Sequence, residues 1–338
     1  MIDYTIFYKC ELPVSGPWPL GNEWDVLLSA YTDAERVRLV FDKACAAQKH
    51  WLVFPEYNYR STDSVPAGAF LHPARNEAEY VQAFWRRLSP DIAAKRICVD
   101  TTGFIRPYLL FLLRWFIEQG IRRVDALYTE PVRYANAEKT SFSDEAVTEV
   151  RQVVGYEGQH LTDISQDVLI IGAGYDDKLI AEVAEHKDQA RKIQIFGLPS
   201  LRADMYQQNI LRAHRAESAV GTPIHDDSSN FFAPANDPFV TAAVLQELVN
   251  GLRQRNRITN LYLSPLATKA QVLGFALYYL SECRNAPVSL LFPFCAAYER
   301  ETTKGLTRIW KYTIELPALH PVASHPRSSS ARSDLAES

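Results

Sequence analysis

Small hydroxyl residues, glycines and single cations follow several short apolar runs of the chain. The run Ile97–Val99 is followed by Asp100-Thr101-Thr102-Gly103, and the run Leu261–Leu263 by a segment that ends in Thr268-Lys269. Small residues between a strand and a helix leave backbone N–H groups free to bind an anion such as phosphate, and a lysine there adds a positive charge. Such positions predict a site for a nucleotide-type ligand. The candidate contacts are Ser29, Arg36, Thr101, Thr102, Gly103, Gly172, Gly174, Thr268 and Lys269.

The same loops have an interpretation that needs no ligand. Asp100 or Thr102 can cap the helix that follows them, and Lys269 can be a solvated surface lysine. The sequence leaves both interpretations open, because it does not show whether the candidates converge on one place.

Three acidic residues that follow apolar runs allow an enzymatic interpretation. Glu56, Asp100 and Glu130 each come after a predicted strand. Two carboxylates with separated pKa values suit attack on a glycosidic bond, including that of a nucleoside. The neighbouring loops carry tyrosines whose rings can stack on a base, namely Tyr57, Tyr128 and Tyr175. An ordinary turn explains these acidic residues equally well, so catalysis stays undecided.

The best-known nucleotide and hydrolase motifs are missing or incomplete. Gly172-Ala173-Gly174 matches the start of G-x-G-x-x-G, but Asp177 stands in place of the third glycine. The sequence contains neither the phosphate loop G-x-x-x-x-G-K-[ST] nor the nucleophile elbow G-x-S-x-G. His225-Asp226-Asp227 is interpreted as a turn, because the other histidines supply no matching ligand spacing. We therefore expect no metal site and no resident cofactor.

The elements that must position these residues occur in two similar sets. Residues 26–55 and 168–199 each read as a strand, an amphipathic helix and a strand, and residues 96–131 and 261–294 repeat that order. Alternating strands and helices with apolar strands predict parallel sheets covered by helices. We therefore predict an α/β fold with two tandem Rossmann-like three-layer domains related by internal duplication. Ligands bind beyond the carboxyl ends of such strands, so the expected site is a cleft where the two copies meet.

Composition along the chain sets the predicted boundaries. The first Rossmann-like domain is expected over residues 1–135, a polar connector over 136–166, and the second domain over 167–316 with a helical insertion at 200–258. A C-terminal β-hairpin is predicted within 297–316, with Lys304-Gly305 as its turn. Residues 317–338 are rich in Ser, Arg and Pro, and this tail is predicted to be disordered.

Charge and cysteine usage limit the function classes. The formal net charge is −4, which argues against a general nucleic-acid or anionic-membrane binder. The five cysteines are scattered without C-x-x-C spacing, which is typical of a protein from a reducing cytoplasm. No basic and apolar leader precedes the first strand, and no apolar run is long enough to span a bilayer. We expect a cytoplasmic protein without a membrane segment.

The duplicated layout, with Asp100-Thr101-Thr102-Gly103 and Ser264–Lys269 opening helices after equivalent strands, resembles the CARF and SAVED group of Rossmann-like sensor domains. The resemblance covers roughly residues 25–294. It implies a non-catalytic protein of prokaryotic antiviral defence that binds a cyclic or linear oligonucleotide messenger between its halves and signals to a protein partner or effector.

Two other functions remain open from the sequence. One is a nucleoside or nucleotide N-glycosidase-type hydrolase that uses Glu56, Asp100 and Glu130. The other is a non-catalytic interaction subunit, with residues 202–257 as its docking surface. The first would convert its ligand, and the second would bind a protein but no small molecule.

Overall fold

The computed structural model describes residues 2–19, 21, 23–60, 62–134, 147–221, 228–255 and 258–316. The first part of the predicted connector, the segment His225-Asp226-Asp227 and the predicted tail therefore lie outside the described residues. Within the described ranges the chain forms fifteen strands and eight α-helices. The strands are β1 (Tyr8–Leu12), β2 (Glu23–Ala30), β3 (Cys45–Val53), β4 (Phe70–Leu71), β5 (Ile97–Asp100), β6 (Arg123–Glu130), β7 (Arg133–Tyr134), β8 (Val147–Gln152), β9 (Val168–Gly172), β10 (Arg191–Gly197), β11 (Asn230–Ala233), β12 (Leu261–Pro265), β13 (Val288–Cys295), β14 (Thr303–Lys304) and β15 (Arg308–Glu315). The helices are α1 (Glu35–Lys43), α2 (Glu77–Trp85), α3 (Arg106–Glu118), α4 (Asp177–His186), α5 (Ala203–Arg215), α6 (Glu217–Val220), α7 (Pro238–Arg255) and α8 (Lys269–Tyr278).

The strands form two large sheets of mostly parallel strands, which confirms the predicted α/β class. The first sheet has the order β4-β3-β2-β5-β6-β15-β1, and the second the order β11-β10-β9-β12-β13-β8. β2 to β6 are parallel, whereas β15 runs antiparallel to β6 and to β1. In the second sheet β9 to β13 are parallel and β8 is antiparallel. Strands such as β9, buried at every residue, are continuous apolar runs because helices or loops cover both of their faces.

Six strands of the first sheet match the second sheet in order and direction. The comparison aligns β4-β3-β2-β5-β6-β15 with β11-β10-β9-β12-β13-β8. In each set the first five strands are parallel, and the sixth strand, β15 or β8, is antiparallel to its neighbour. The antiparallel strands come from unexpected places. β15 follows the whole second sheet in the chain but lies in the first sheet, and β8 lies within the segment predicted as a connector.

Helices α3 and α8 join the two halves of the molecule. Both are buried nearly all round, α3 packs against α2 and α8, and α8 packs against α7 as well. An apolar core therefore runs from Leu28 in the first sheet through this helix pair to Ile170 in the second. A smaller cluster with Leu27 and Val40 lies on the opposite face of the first sheet, below α1.

The predicted C-terminal hairpin is wrong. The two strands on either side of Gly305 do not pair with each other, because β14 pairs with β7 while β15 lies between β6 and β1. β15 has a buried central run, which is typical of an interior strand whose faces are covered by other elements rather than of an exposed hairpin arm. β3 begins at Cys45, where its first residues pair with β2 although their side chains are partly or fully exposed.

Among the helices of the described residues, none combines the length and the apolarity that spanning a membrane requires.

Candidate functional site

A cleft lies at the carboxyl ends of both sheets. In the first sheet the chain leaves β2 to one side for β3 and returns to the other side for β5, so the switch point lies between β2 and β5. The equivalent point of the second sheet lies between β9 and β12. Loops from both points line one cleft of about 1100 Å³, counting its opening to solvent. Switch points are where open α/β sheets bind ligands.

Two glycines allow the loops at these switch points to approach each other closely. A Cβ atom on Gly103 would lie 2.1 Å from the carbonyl oxygen of Ala30, which ends β2. A Cβ atom on Gly174, in the loop after β9, would lie 2.1 Å from the carbonyl oxygen of Leu266, in the loop after β12. Both glycines line the cleft. Its walls thus depend on backbone contacts that no other residue type permits.

The lining of the cleft is strongly cationic, although the whole chain is acidic. Its charged side chains are Arg36, Arg106, Lys269, Arg300 and Glu299. Arg36 is the second residue of α1, whereas Arg106 and Lys269 are the first residues of α3 and α8. Among the described residues, no side chain caps the first turn of α1 or α3. Helix starts of this kind present N–H groups and positive dipole ends to the cleft, in addition to the three cations.

Lys269 is the cation that the protein itself satisfies least. Its amine makes no hydrogen bond or ion pair with the described residues, although its side chain is partly buried. Burial, together with the positive charges of Arg106 and Arg36, holds the pKa of its amine well below its usual range, and Asp100 only partly opposes this effect. A bound anion would supply a negative charge and a hydrogen-bond acceptor to the amine of Lys269.

Arg106 connects the two halves at the edge of the cleft. Its Nε and Nη2 atoms both donate to the carbonyl oxygen of Ala267, at 3.1 and 2.9 Å. Ala267 comes two residues before Lys269, and Thr268 between them caps α8 by accepting from the Gln271 N–H at 3.2 Å. The guanidinium therefore sets the position of the loop that carries Lys269.

Asp100 shapes the opposite wall from below. It is fully buried and accepts hydrogen bonds from Ser29 Oγ at 2.9 Å and from the Thr102 N–H at 3.0 Å. Burial raises the pKa of this carboxyl, while those hydrogen bonds and the charge of Arg36 oppose the rise. The Thr102 hydroxyl bonds with that of Thr129 at 2.9 Å, and Arg36 donates to the Thr129 carbonyl at 2.6 Å. Asp100 thus orders the loop and lies near the cations without lining the cleft.

Aromatic rings form another part of the surface of the cleft. The tyrosines proposed to stack on a base all line it, and the structure adds Phe104 and Tyr298. The Tyr57 hydroxyl donates to the Gly103 carbonyl at 2.8 Å, which fixes that ring beside the glycine loop. Rings and cations together can hold a flat, charged molecule.

The structure brings six of the nine candidate ligand contacts together and leaves three outside. Those that line the cleft are Arg36, Thr102, Gly103, Gly174, Thr268 and Lys269. Ser29 lies beneath the cleft on Asp100, and the Thr101 hydroxyl donates to the Leu127 carbonyl at 2.8 Å. Gly172 is the last residue of β9 and lies against Phe275. Residues at the ends of strands and at the start of loops thus support the wall of the cleft from beneath, whereas residues later in the loops form its surface.

The three candidate catalytic carboxylates are not among the residues that line the cleft. Glu56 accepts a hydrogen bond from the Tyr108 hydroxyl, with O–O distances of 2.8 and 3.0 Å, and burial raises the pKa of this carboxyl. Glu130 is buried and accepts from Asn236 Nδ2 at 2.7 Å and Trp310 Nε1 at 2.6 Å. Each carboxylate is occupied by groups of the protein. Within the described ranges no three His, Cys, Asp or Glu residues are grouped as metal ligands.

Sequence reasoning missed Arg106 and the segment 298–303. Arg106 is the counterpart of Lys269, since each is the first residue of the helix after the second strand of its switch point. That equivalence was visible in the sequence. The segment 298–303 was predicted as part of a hairpin, and nothing local shows that it crosses to the cleft. It is fixed there by Arg300, whose Nε donates to the Tyr57 carbonyl at 2.7 Å.

Comparisons of the chain with protein-family models, with curated proteins and with solved structures gave no match.

Lys269 should make stability depend on pH in a recognisable direction. Between its lowered pKa and the ordinary lysine value of about 10.4, the folded chain binds fewer protons than the unfolded chain, so its contribution to stability rises with pH. Below the lowered pKa the cost of the buried charge is fully present. We expect Lys269→Met to be about 0.5–2 kcal/mol more stable than the original chain at neutral pH, with the difference shrinking as pH rises. Urea unfolding of both proteins at neutral and alkaline pH measures this, and parallel curves would contradict it.

Proposed function

We propose that this chain is a sensor or regulatory protein that binds a nucleotide-type ligand in the cleft. The observation that carries the proposal is the amine of Lys269, which has no hydrogen-bond partner among the described residues and shares a tyrosine-lined cleft with Arg36 and Arg106. Cations suit phosphate, and tyrosine rings suit a base or a ribose. The placement at two switch points supports the same ligand class.

We further infer that the two halves are related by internal duplication, as tandem Rossmann-like units. The matching strand order supports this relationship, and so do the equivalent positions of Arg106 and Lys269. The proposal retains the likeness to CARF and SAVED sensors, and with it a cytoplasmic role in prokaryotic antiviral defence through a protein partner or effector. The specific support from this chain is a single cleft shared by both halves.

A panel of ligands tests the proposal. Purified protein is incubated with mono-, di- and cyclic oligonucleotides and with NAD, the melting temperature is followed, and each ligand is then analysed by mass spectrometry. We expect at least one nucleotide to raise the melting temperature and to be recovered intact, because a molecule that binds only the folded state stabilises it. A converted ligand would favour the hydrolase instead. No shift with any nucleotide would contradict the proposal and favour the interaction subunit.

Removing a cation of the cleft should weaken binding of the ligand found in this way. We expect Lys269→Ala and Arg36→Ala each to lose about 1–3 kcal/mol of binding free energy, as for charge-assisted contacts that are partly buried. Lys95→Ala is the control, since Lys95 is an exposed cation that precedes β5 and so lies at the opposite end of the first sheet. Titration calorimetry gives the affinities. Equal affinities in all four proteins would rule out this site.

A further inference from the structure

The start of α8 places an amine in the cleft without giving it a partner. Lys269 is the first residue of α8 and lines the cleft, and its amine makes no hydrogen bond or ion pair with the described residues. The residue before it is fixed, because the Thr268 hydroxyl donates to the Ala235 carbonyl and accepts from the Gln271 N–H. The backbone that carries Lys269 is therefore held in place, while the end of its side chain is left for a ligand.

Small residues surround the start of α8 and leave room for such a ligand. Ala235 is bonded to Thr268, and Ala267 lies so close to Gly174 that a Cβ atom on this glycine would be 3.2 Å from the Ala267 Cα. Ala235, Gly174 and Ala267 all line the cleft. None of them has a side-chain oxygen that could accept a hydrogen bond from an ammonium group. This part of the wall therefore favours an amine without a charge.

The position of the amine disfavours its protonated form in three ways. Burial removes water from the ammonium group, and the positive end of the α8 dipole lies at the residue that carries it. Arg106 and Arg36 add positive charge, which Asp100 only partly opposes, so the pKa of the amine is well below its usual range. The other charged groups in the lining are Arg300 and Glu299. A neutral amine keeps its lone pair, and desolvated lysines near other cations act as nucleophiles.

We propose that the Lys269 amine is a nucleophile that forms an imine with an aldehyde or ketone group of a ligand in the cleft. The Nζ lone pair attacks the carbonyl carbon, and one Nζ proton passes to the carbonyl oxygen to give a carbinolamine. The hydroxyl group then leaves with the second Nζ proton as water, and a C=N bond remains. The step needs no oxidant or reductant. It needs no nucleotide either, so the inference stands apart from the proposed function.

Reductive labelling with a simple aldehyde tests the inference. The full chain is incubated at neutral pH with benzaldehyde and with cyanoborohydride, which reduces an imine to a stable secondary amine. Digestion and mass spectrometry then give the modified fraction of each lysine over time. We expect Lys269 to react about 10-fold or more faster than Lys95. Lys95 is the matched control, because it is exposed and its ion pair with Asp91 raises its pKa.

Three further measurements assign the reactivity to the folded cleft. In the chain unfolded with guanidinium chloride the two lysines should react at the same rate, because burial and the helix dipole are lost. Lys269→Met should remove the fast reaction and leave the rate at Lys95 unchanged. In the folded chain the rate at Lys95 should keep rising with pH over a range in which the rate at Lys269 has levelled off, since only the neutral amine reacts.

The outcomes are distinct from those of the nucleotide panel. Equal rates at Lys269 and Lys95 in the folded chain, an unmodified Lys269, or a preference that survives unfolding would each overturn the inference. None of these results bears on nucleotide binding, and a chain that binds no nucleotide could still show the fast reaction at Lys269.

Discussion

Replacing Gly103 by alanine is expected to lower the free energy of unfolding by about 2–4 kcal/mol, the range of a severe overpacking substitution. The added Cβ would lie 2.1 Å from the Ala30 carbonyl oxygen. Ala30 cannot move away easily, because it ends β2, a strand paired on both sides with β3 and β5. The same argument applies to Gly174 and the Leu266 carbonyl. Urea unfolding followed by circular dichroism measures the loss.

Gly251→Ala is the matched control for this prediction. Gly251 lies in α7, and a Cβ atom there would have no neighbour within 4 Å. Alanine favours a helix over glycine, so this variant should gain about 0.5–1 kcal/mol. If Gly103→Ala were as stable as Gly251→Ala, the close approach of the two loops would be refuted.

The Arg106→Met variant is expected to lose about 1.5–3 kcal/mol of stability, the usual cost of deleting a charged hydrogen-bond donor from a buried site. It removes both donors from the Ala267 carbonyl, and thus the contact that ties α3 to the loop before α8. It also removes a cation from the cleft, so nucleotide affinity should fall with stability. Calorimetry and urea unfolding on the same preparation separate these two effects.

Arg106→Lys distinguishes charge from geometry. Lysine keeps the cation but cannot place two fixed donors on one carbonyl, so stability should fall while part of the affinity remains. Arg75→Met serves as the control, because the Arg75 side chain is 92% exposed and its ion pair with Glu79 contributes little. Wild-type stability in Arg106→Met would show that the bond to Ala267 does not join the halves.

The parallel strands and the main helices could be predicted because their signals are local. Apolar runs such as Leu169–Ile171 in β9 are continuous in the sequence. The helices begin shortly after such runs, as α8 does at Lys269 after β12. β15 could not be placed in this way. Its pairing with β6 joins Ile309 to Thr129, and no nearby residue records a contact over that separation.

The cleft was predictable in its position and only partly in its composition. The rule for carboxyl ends of strands led to Lys269 and Gly103, since each lies a few residues after the end of a strand. It also included Ser29 and Thr101, because the sequence does not show which side chain at a strand end points into the core. The sequence places Arg106 in a position equivalent to that of Lys269, but its bond to Ala267 depends on the approach of the other half, which no local pattern records.

The position of β15 has a consequence for the order in which the protein can fold during synthesis. A ribosome releases the strands of the first sheet early, yet the edge of β6 stays unpaired until residues 308–315 have emerged, after the entire second sheet. An unpaired apolar edge invites wrong pairing while it waits. The first sheet therefore stays incomplete through most of translation. It is completed only when β15, the last strand of the chain, pairs with β6.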